Sequence, residues 1–138
     1  MSQPKVLIVD DDADSRAVLR DVLNAEPYNL LEAVDGQQAL QIAASELPDL
    51  ILLDIMMPGL DGDLFLHKLK GQEKTRSIPV ILVTALDLLN TQACACLGNG
   101  AVDHICKPFS SAVVRSRVRA VLHFRETTAA RHKSSATT

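Results

Sequence analysis

The chain has 138 residues, 47% of them apolar, enough for one domain with a core of its own and too few for two ordinary ones. A formal charge of −3 and an isoelectric point near 5.7 supply no global field to recruit nucleic acid or an anionic membrane. No apolar run reaches the roughly 20 residues of a membrane helix, Met1 to Lys5 has no signal-peptide pattern, and three cysteines argue against a secreted disulfide framework, so a soluble cytoplasmic protein is the expectation.

Taken in order, Lys5-Val-Leu-Ile-Val9 is an apolar, β-branched run that predicts a buried first strand ending in Asp10-Asp11-Asp12. From about Asp14 to Ala25, the stripe Val18, Leu19, Val22 and Leu23 predicts a helix closed by Pro27. Tyr28 to Ala33 reads as a second strand, Asp35-Gly36 as a turn and helix start, and Ala39, Leu40, Ala43 and Leu47 as a second helix that stops before Pro48. Leu50 to Leu53 has no polar alternation, as a strand covered on both faces requires, and it delivers Asp54 at its carboxyl end before Pro58-Gly59 and Asp61-Gly62 force a loop. Leu64 to Lys70 is a short helix with Phe65, Leu66 and Leu69 inward. Pro79 to Val83 is a fourth strand that ends in Thr84-Ala85. Leu88 to Leu97 reads as an uncharged helix, Val102 to Cys106 as the last strand leading into Lys107-Pro108-Phe109, and Ser110 as the cap of a final helix with Val114, Val118, Val121 and Leu122 on one stripe.

Five strands alternating with five helices through short connections predict a doubly wound α/β domain with a parallel sheet. Residues 1–124 form that domain in this reading, and 125–138, without apolar periodicity, form a disordered polar tail or linker. Neighbouring strands lie about 4.8 Å apart, so Asp10, Asp11, Asp54, Thr84 and Lys107 at the strand ends are able to meet in one pocket. Three carboxylates there repel one another, and a hard divalent cation such as Mg²⁺ with oxygen ligands resolves the conflict. A nucleophilic carboxylate, a metal, a lysine and a hydroxyl suit phosphoryl transfer onto aspartate. Taken alone, Asp54 has a competing reading as a turn or helix cap.

The segments Val9-Asp10-Asp11, Asp54 to Gly62, Val83-Thr84-Ala85 and Lys107-Pro108-Phe109 resemble the receiver domains of two-component response regulators, over roughly residues 5–124. The resemblance implies a flavodoxin-like fold of strand order 2-1-3-4-5 and phosphorylation of Asp54 by a phosphohistidine on a sensor histidine kinase or phosphotransfer protein. It implies further that Asp10, Asp11, Asp54 and the backbone carbonyl of Met56 hold Mg²⁺, that Thr84 is the switch hydroxyl, and that Lys107 pairs with the phosphoryl group. Pro108 is commonly cis in that family. Signalling would pass through the face of the fourth helix, fifth strand and fifth helix to an output domain or downstream protein. The chain would be a phosphoacceptor, not an enzyme in its own right, and a monomer or a weak phosphorylation-dependent dimer.

Three departures from the family pattern carry consequences. His104 stands where an aromatic switch residue is usual; it either switches, with sensitivity to pH, or is a half-exposed strand residue without signalling weight. Met56 and Leu86, two beyond Asp54 and Thr84, lack side chains that hold an attacking water, which predicts slow self-dephosphorylation. The uncharged Leu88 to Asn99 region lacks half the salt-bridge partners of one dimer common in the family, though a hydrophobic contact through Leu88 and Leu89 competes with core packing.

The rivals are weaker. Asp10, Asp12, Asp14 and Asp21 match a calcium-loop spacing, but Ser15 replaces the turn glycine and a strand precedes it. No Gly-rich turn follows the first strand for a dinucleotide, and Met56 occupies the place where an aspartate-based phosphatase needs a second acid. Cys94 and Cys96, two apart, point to nearly opposite sides of a helix and share no metal. His67, His123 and His132 are isolated, and Arg115, Arg117 and Arg119 read as a solvated helix face, too few for direct nucleic-acid binding. The alternative of a different class is a pseudo-receiver that acts as a phosphorylation-independent interaction module.

Overall fold

The computed structural model describes residues 3–85 and 100–137, with side chains up to residue 125. Nine elements follow in the order β1 (Lys5–Val9), α1 (Ala13–Leu23), β2 (Asn29–Ala33), α2 (Gly36–Glu46), β3 (Leu50–Asp54), α3 (Gly62–Lys70), β4 (Val80–Ala85), β5 (Asp103–Lys107) and α4 (Ser111–Thr137). The strands form one parallel sheet of order β2-β1-β3-β4-β5, as the resemblance implied. The expected helix over Leu88 to Leu97, with Leu86 before it, lies outside the described residues.

Apolar strands without alternation are buried on both faces because each face receives its own layer of helices. Leu7, Val9, Ile51, Leu53, Val80 and Leu82 point to the layer of α2 and α3, where Ala39, Ala43, Phe65, Leu66 and Leu69 close the core. Val6, Ile8, Leu50, Leu52 and Ile81 point to the other layer, against Leu19 and Leu23 of α1 and Val114 and Val118 of α4. Each parity of strand residue thus has its own core, and a one-residue register slip would exchange them.

Helix starts follow side-chain chemistry. Asp12, Asp35 and Asp61 cap α1, α2 and α3 by accepting from the amides of Asp14, Gln38 and Leu64, and the Ser110 hydroxyl accepts from the Val113 amide at 3.1 Å, the expected cap of α4. Asp61 was expected only to turn the chain; as a cap it starts α3 at Gly62, two residues before the predicted beginning.

Other differences are local. Val18 is 50% exposed, so the buried stripe of α1 is narrower than its periodicity predicts. Leu47, expected on the inner side of α2, is instead its left-handed C-cap at φ 49° and is largely exposed. Val102 precedes β5 and is also exposed. The largest departure is the tail: backbone read as disordered beyond residue 124 is helical to Thr137. Glu126 to Lys133 contains no Gly or Pro to stop a helix, and Ala129, Ala130 and Arg131 favour its continuation. Among the described residues no helix is long and apolar enough to cross a membrane.

Candidate phosphoacceptor site

The parallel register decides which strand ends meet. Val9 pairs with Leu53 across β1 and β3, and Asp54 pairs with Val83 of β4, so the residues just beyond these rungs share the carboxyl edge of the sheet. There, carboxylate oxygens of Asp10, Asp11 and Asp54 all lie within 4.8 Å of one another. Asp10 and Asp54 are buried and Asp11 is exposed, so the cluster has a dry floor and an open side. A cleft of about 480 Å³ opens next to it, with Asp11, Gly36, Met57, Leu60 and Phe65 among its walls.

Asp54 is held from two directions. Its Oδ1 accepts from the Met56 amide at 2.8 Å, and its Oδ2 receives Lys107 Nζ at 3.2 Å. The first contact is the turn role weighed from sequence; it coexists with the second, an ion pair with Lys107, the residue that the resemblance implied as partner of a phosphoryl group. The loop that follows Asp54 turns through Gly59, whose φ of 76° is a conformation side-chain-bearing residues rarely adopt. Lys107 ends β5, its peptide bond to Pro108 is cis, and its side chain is 31% exposed at the edge of the cluster.

Asp10 carries the electrostatic conflict. Its Oδ1 accepts from the Asp12 amide at 2.9 Å, whereas Oδ2 is buried without a hydrogen-bond partner. Burial pushes its carboxyl above the usual range; the Asp12 amide pulls it back, the neighbouring Asp54 charge pushes it up again, and Lys107 opposes that. An orphaned buried carboxylate oxygen beside two further carboxylates is the environment a hard divalent cation fits. Asp10, Asp11 and Asp54, with the Met56 carbonyl from the adjoining loop, are the residues that would hold it.

Thr84 is fully buried at the end of β4, and its hydroxyl donates to the Ala85 carbonyl at 3.3 Å. Its ladder partner is Cys106, while His104 pairs with Leu82 one alternation earlier. Partners across a parallel ladder share a face, so Thr84 and His104 stand on the same side of the sheet, two positions apart along it. The His104 amide donates to Asp103 Oδ1 at 2.8 Å, and Arg117 Nη1 reaches both oxygens of that carboxylate at 2.9 Å, which ties β5 to α4.

The remaining sequence candidates disperse. Asp12 serves as a cap, and Asp14 and Asp21 lie along the regular helix α1, so no calcium loop forms. What the sequence reading missed is Arg16. Its guanidinium donates to the Asp10 carbonyl at 2.8 Å and to Glu32 Oε1 at 3.1 Å, a contact no local spacing announces because Glu32 sits on β2.

A doubly wound parallel sheet with an acidic cluster, a lysine and a buried threonine at its carboxyl edge defines a receiver-type domain. Comparison with known proteins agrees: residues 6–119 match the response regulator receiver domain model, and the chain belongs to that family. It is 43% identical over 121 residues to the response regulator PleD of Caulobacter vibrioides, an alignment that covers 88% of this chain and 26% of that protein. It is 38% identical over 125 residues to sporulation initiation phosphotransferase F of Bacillus subtilis, covering 88% of this chain and 96% of the relative. Among solved structures, the receiver domain of the sensor histidine kinase PA1611 from Pseudomonas aeruginosa superposes with a TM-score of 0.79 at 29% identity. That match spans 88% of this chain and 99% of the neighbour, which has a magnesium ion coordinated in its active-site cleft. The chain thus spans about a quarter of the length of PleD and nearly all of the sporulation phosphotransferase.

Proposed function

We propose that the chain is the phosphoacceptor of a two-component phosphorelay, with Asp54 as the acceptor. The observation that carries this reading is the pairing of Lys107 Nζ with Asp54 Oδ2 at 3.2 Å, on a carboxylate that also belongs to a three-acid cluster. The donor is a phosphohistidine on a sensor kinase or phosphotransfer protein. A carboxylate oxygen of Asp54 forms the new O–P bond as the donor N–P bond breaks, and the departing imidazole takes up a proton. Bound Mg²⁺ would supply neutralisation of the phosphoryl oxygens and of the clustered acids. Lys107 stabilises phosphoryl charge from the β5 side, and the Thr84 hydroxyl exchanges its weak bond to the Ala85 carbonyl for a phosphoryl oxygen.

The switch then runs from Thr84 along the shared sheet face to His104 and the edge strand β5, and leaves by the face that the resemblance implies, the expected helix over Leu88 to Leu97, β5 and α4, to a downstream protein or an output domain. The chain acts in the cytoplasm as an acceptor, not as a turnover enzyme, alone or as a weak dimer formed on phosphorylation. Intact mass after incubation with Mg²⁺ and acetyl phosphate, beside Asp54→Asn, tests the chemistry. A gain of one phosphoryl group that disappears in the variant and without Mg²⁺ is expected. No gain with acetyl phosphate or with a panel of phosphorylated kinases would overturn the reading in favour of a phosphorylation-independent module.

A further inference from the structure

Three polar atoms of Asp10 are fixed. Its amide donates to the Ala33 carbonyl at 3.1 Å, its Oδ1 accepts from the Asp12 amide, and its carbonyl accepts from Arg16 Nη1 at 2.8 Å. The fourth, Oδ2, is the orphaned oxygen of the acidic cluster. Of the three anchors, Arg16 is the one side chain, and it grips the peptide that joins Asp10 to Asp11, the two acids that β1 contributes.

The placement of Arg16 runs against the helix it belongs to. It lies in the first turn of α1, where the backbone dipole favours acids over cations, and its guanidinium folds back past the start of its own helix. What holds it there is Glu32 on β2, which accepts from Arg16 Nε at 3.1 Å and, through its other oxygen, from Arg20 Nη1 at 2.7 Å. Arg16 is mostly covered, at 16% side-chain exposure, whereas Arg20 is at 43%. The planar fork of a guanidinium holds two acceptors on different elements in a fixed geometry from two of its nitrogens, which the single nitrogen of an ammonium does not reproduce.

We propose that Arg16 is a positioning residue for the cation site: clamped by Glu32, it fixes the Asp10–Asp11 peptide so that both carboxylates converge on Asp54. This rests on the reading of the acidic cluster as a Mg²⁺ site. A partner behind the ligands typically changes metal affinity about 10–100-fold when removed. The effect passes through the backbone, so a residue that keeps the charge but not the fork restores only part of it.

Direct Mg²⁺ titration by calorimetry decides the matter, on the wild type, Arg16→Ala, Arg16→Lys and Glu32→Gln, with urea unfolding of each in EDTA. Affinity is expected to fall about tenfold or more in Arg16→Ala, to recover in part in Arg16→Lys, and to fall less in Glu32→Gln. Arg20→Ala, which removes the outer contact to the same Glu32, is the folded control and leaves affinity within about twofold, since it touches no atom of Asp10. Wild-type affinity in Arg16→Ala, whatever its loss of stability, reduces Arg16 to a structural ion pair and overturns the proposal alone. Failure of the wild type to bind Mg²⁺ overturns the site reading and this inference together.

Discussion

Asp10→Asn tests the electrostatics of the acidic cluster most directly. Carboxylate oxygens of Asp10 and Asp54 lie within 4.8 Å, and two unit charges at that separation repel by roughly 3.5 kcal/mol at an effective dielectric constant of about 20. The amide keeps the oxygen that accepts from Asp12 and presents an N–H donor where Oδ2 was orphaned. Against this stands the lost attraction of Asp10 to Lys107, so a net gain of about 1–3 kcal/mol in the metal-free fold is expected.

The sign with pH follows from the raised carboxyl of Asp10. Its ordinary value is 3.8, and the folded chain holds it higher, chiefly through burial. Below the unfolded value both states are protonated and no penalty exists; as pH rises through the folded value the penalty grows to its full size. Urea unfolding in EDTA, followed by far-UV circular dichroism, therefore gives the variant a midpoint about 1 M higher near neutrality and a gap that closes towards pH 4. With Mg²⁺ the order reverses, because ligand binding stabilises the wild type and not the variant. An unchanged or lower midpoint for Asp10→Asn in EDTA would refute the picture of a charge conflict stored at the site.

Other outcomes follow from the same geometry. Lys107→Met removes the cation 3.2 Å from Asp54 and is expected to lower metal-free stability by about 1–2 kcal/mol, discounted for its partial exposure; urea midpoints measure this. Met56, 44% exposed beside Asp54, gives water no polar side chain, so on the proposed chemistry Met56→Asn is expected to shorten the lifetime of the phosphorylated protein about tenfold, timed by intact mass after removal of the donor. A wild-type phosphoryl lifetime of seconds would contradict that assignment. Leu52→Ala empties a fully buried position on the α1–α4 side of the sheet and is expected to cost about 2–5 kcal/mol in urea unfolding without moving the acids.

Strands and acceptor candidates were legible in the sequence for one shared reason. A strand buried on both faces is a short apolar run, and a polar residue ending such a run marks the edge where the site lies; Asp10 and Asp54 announce themselves this way, whereas Lys107 ends the half-exposed edge strand β5, whose Asp103 and His104 interrupt the run. Boundaries set by side-chain capping were read less well, as Asp61 shows, because an Asp that starts a helix and one that turns a loop look alike. Exposure at Val18 and Leu47 depended on how wide a stripe the neighbouring elements cover, which periodicity does not contain. The Arg16–Glu32 clamp was invisible for a different reason: it exists only once α1 has packed beside β2.

The strand order has a consequence for how the chain is made. β1 sits second in the sheet, between β2 and β3, so the strands that deliver Asp10, Asp11 and Asp54 are all synthesised in the first part of the chain. Lys107, on the last strand at the far edge, arrives only after about as many residues again have been synthesised. For that interval the three acids are in the chain without Lys107, the cation that pairs with Asp54. Domains generally fold as units, so it is the completed sheet edge, with β5 in place, that brings the acids and Lys107 together.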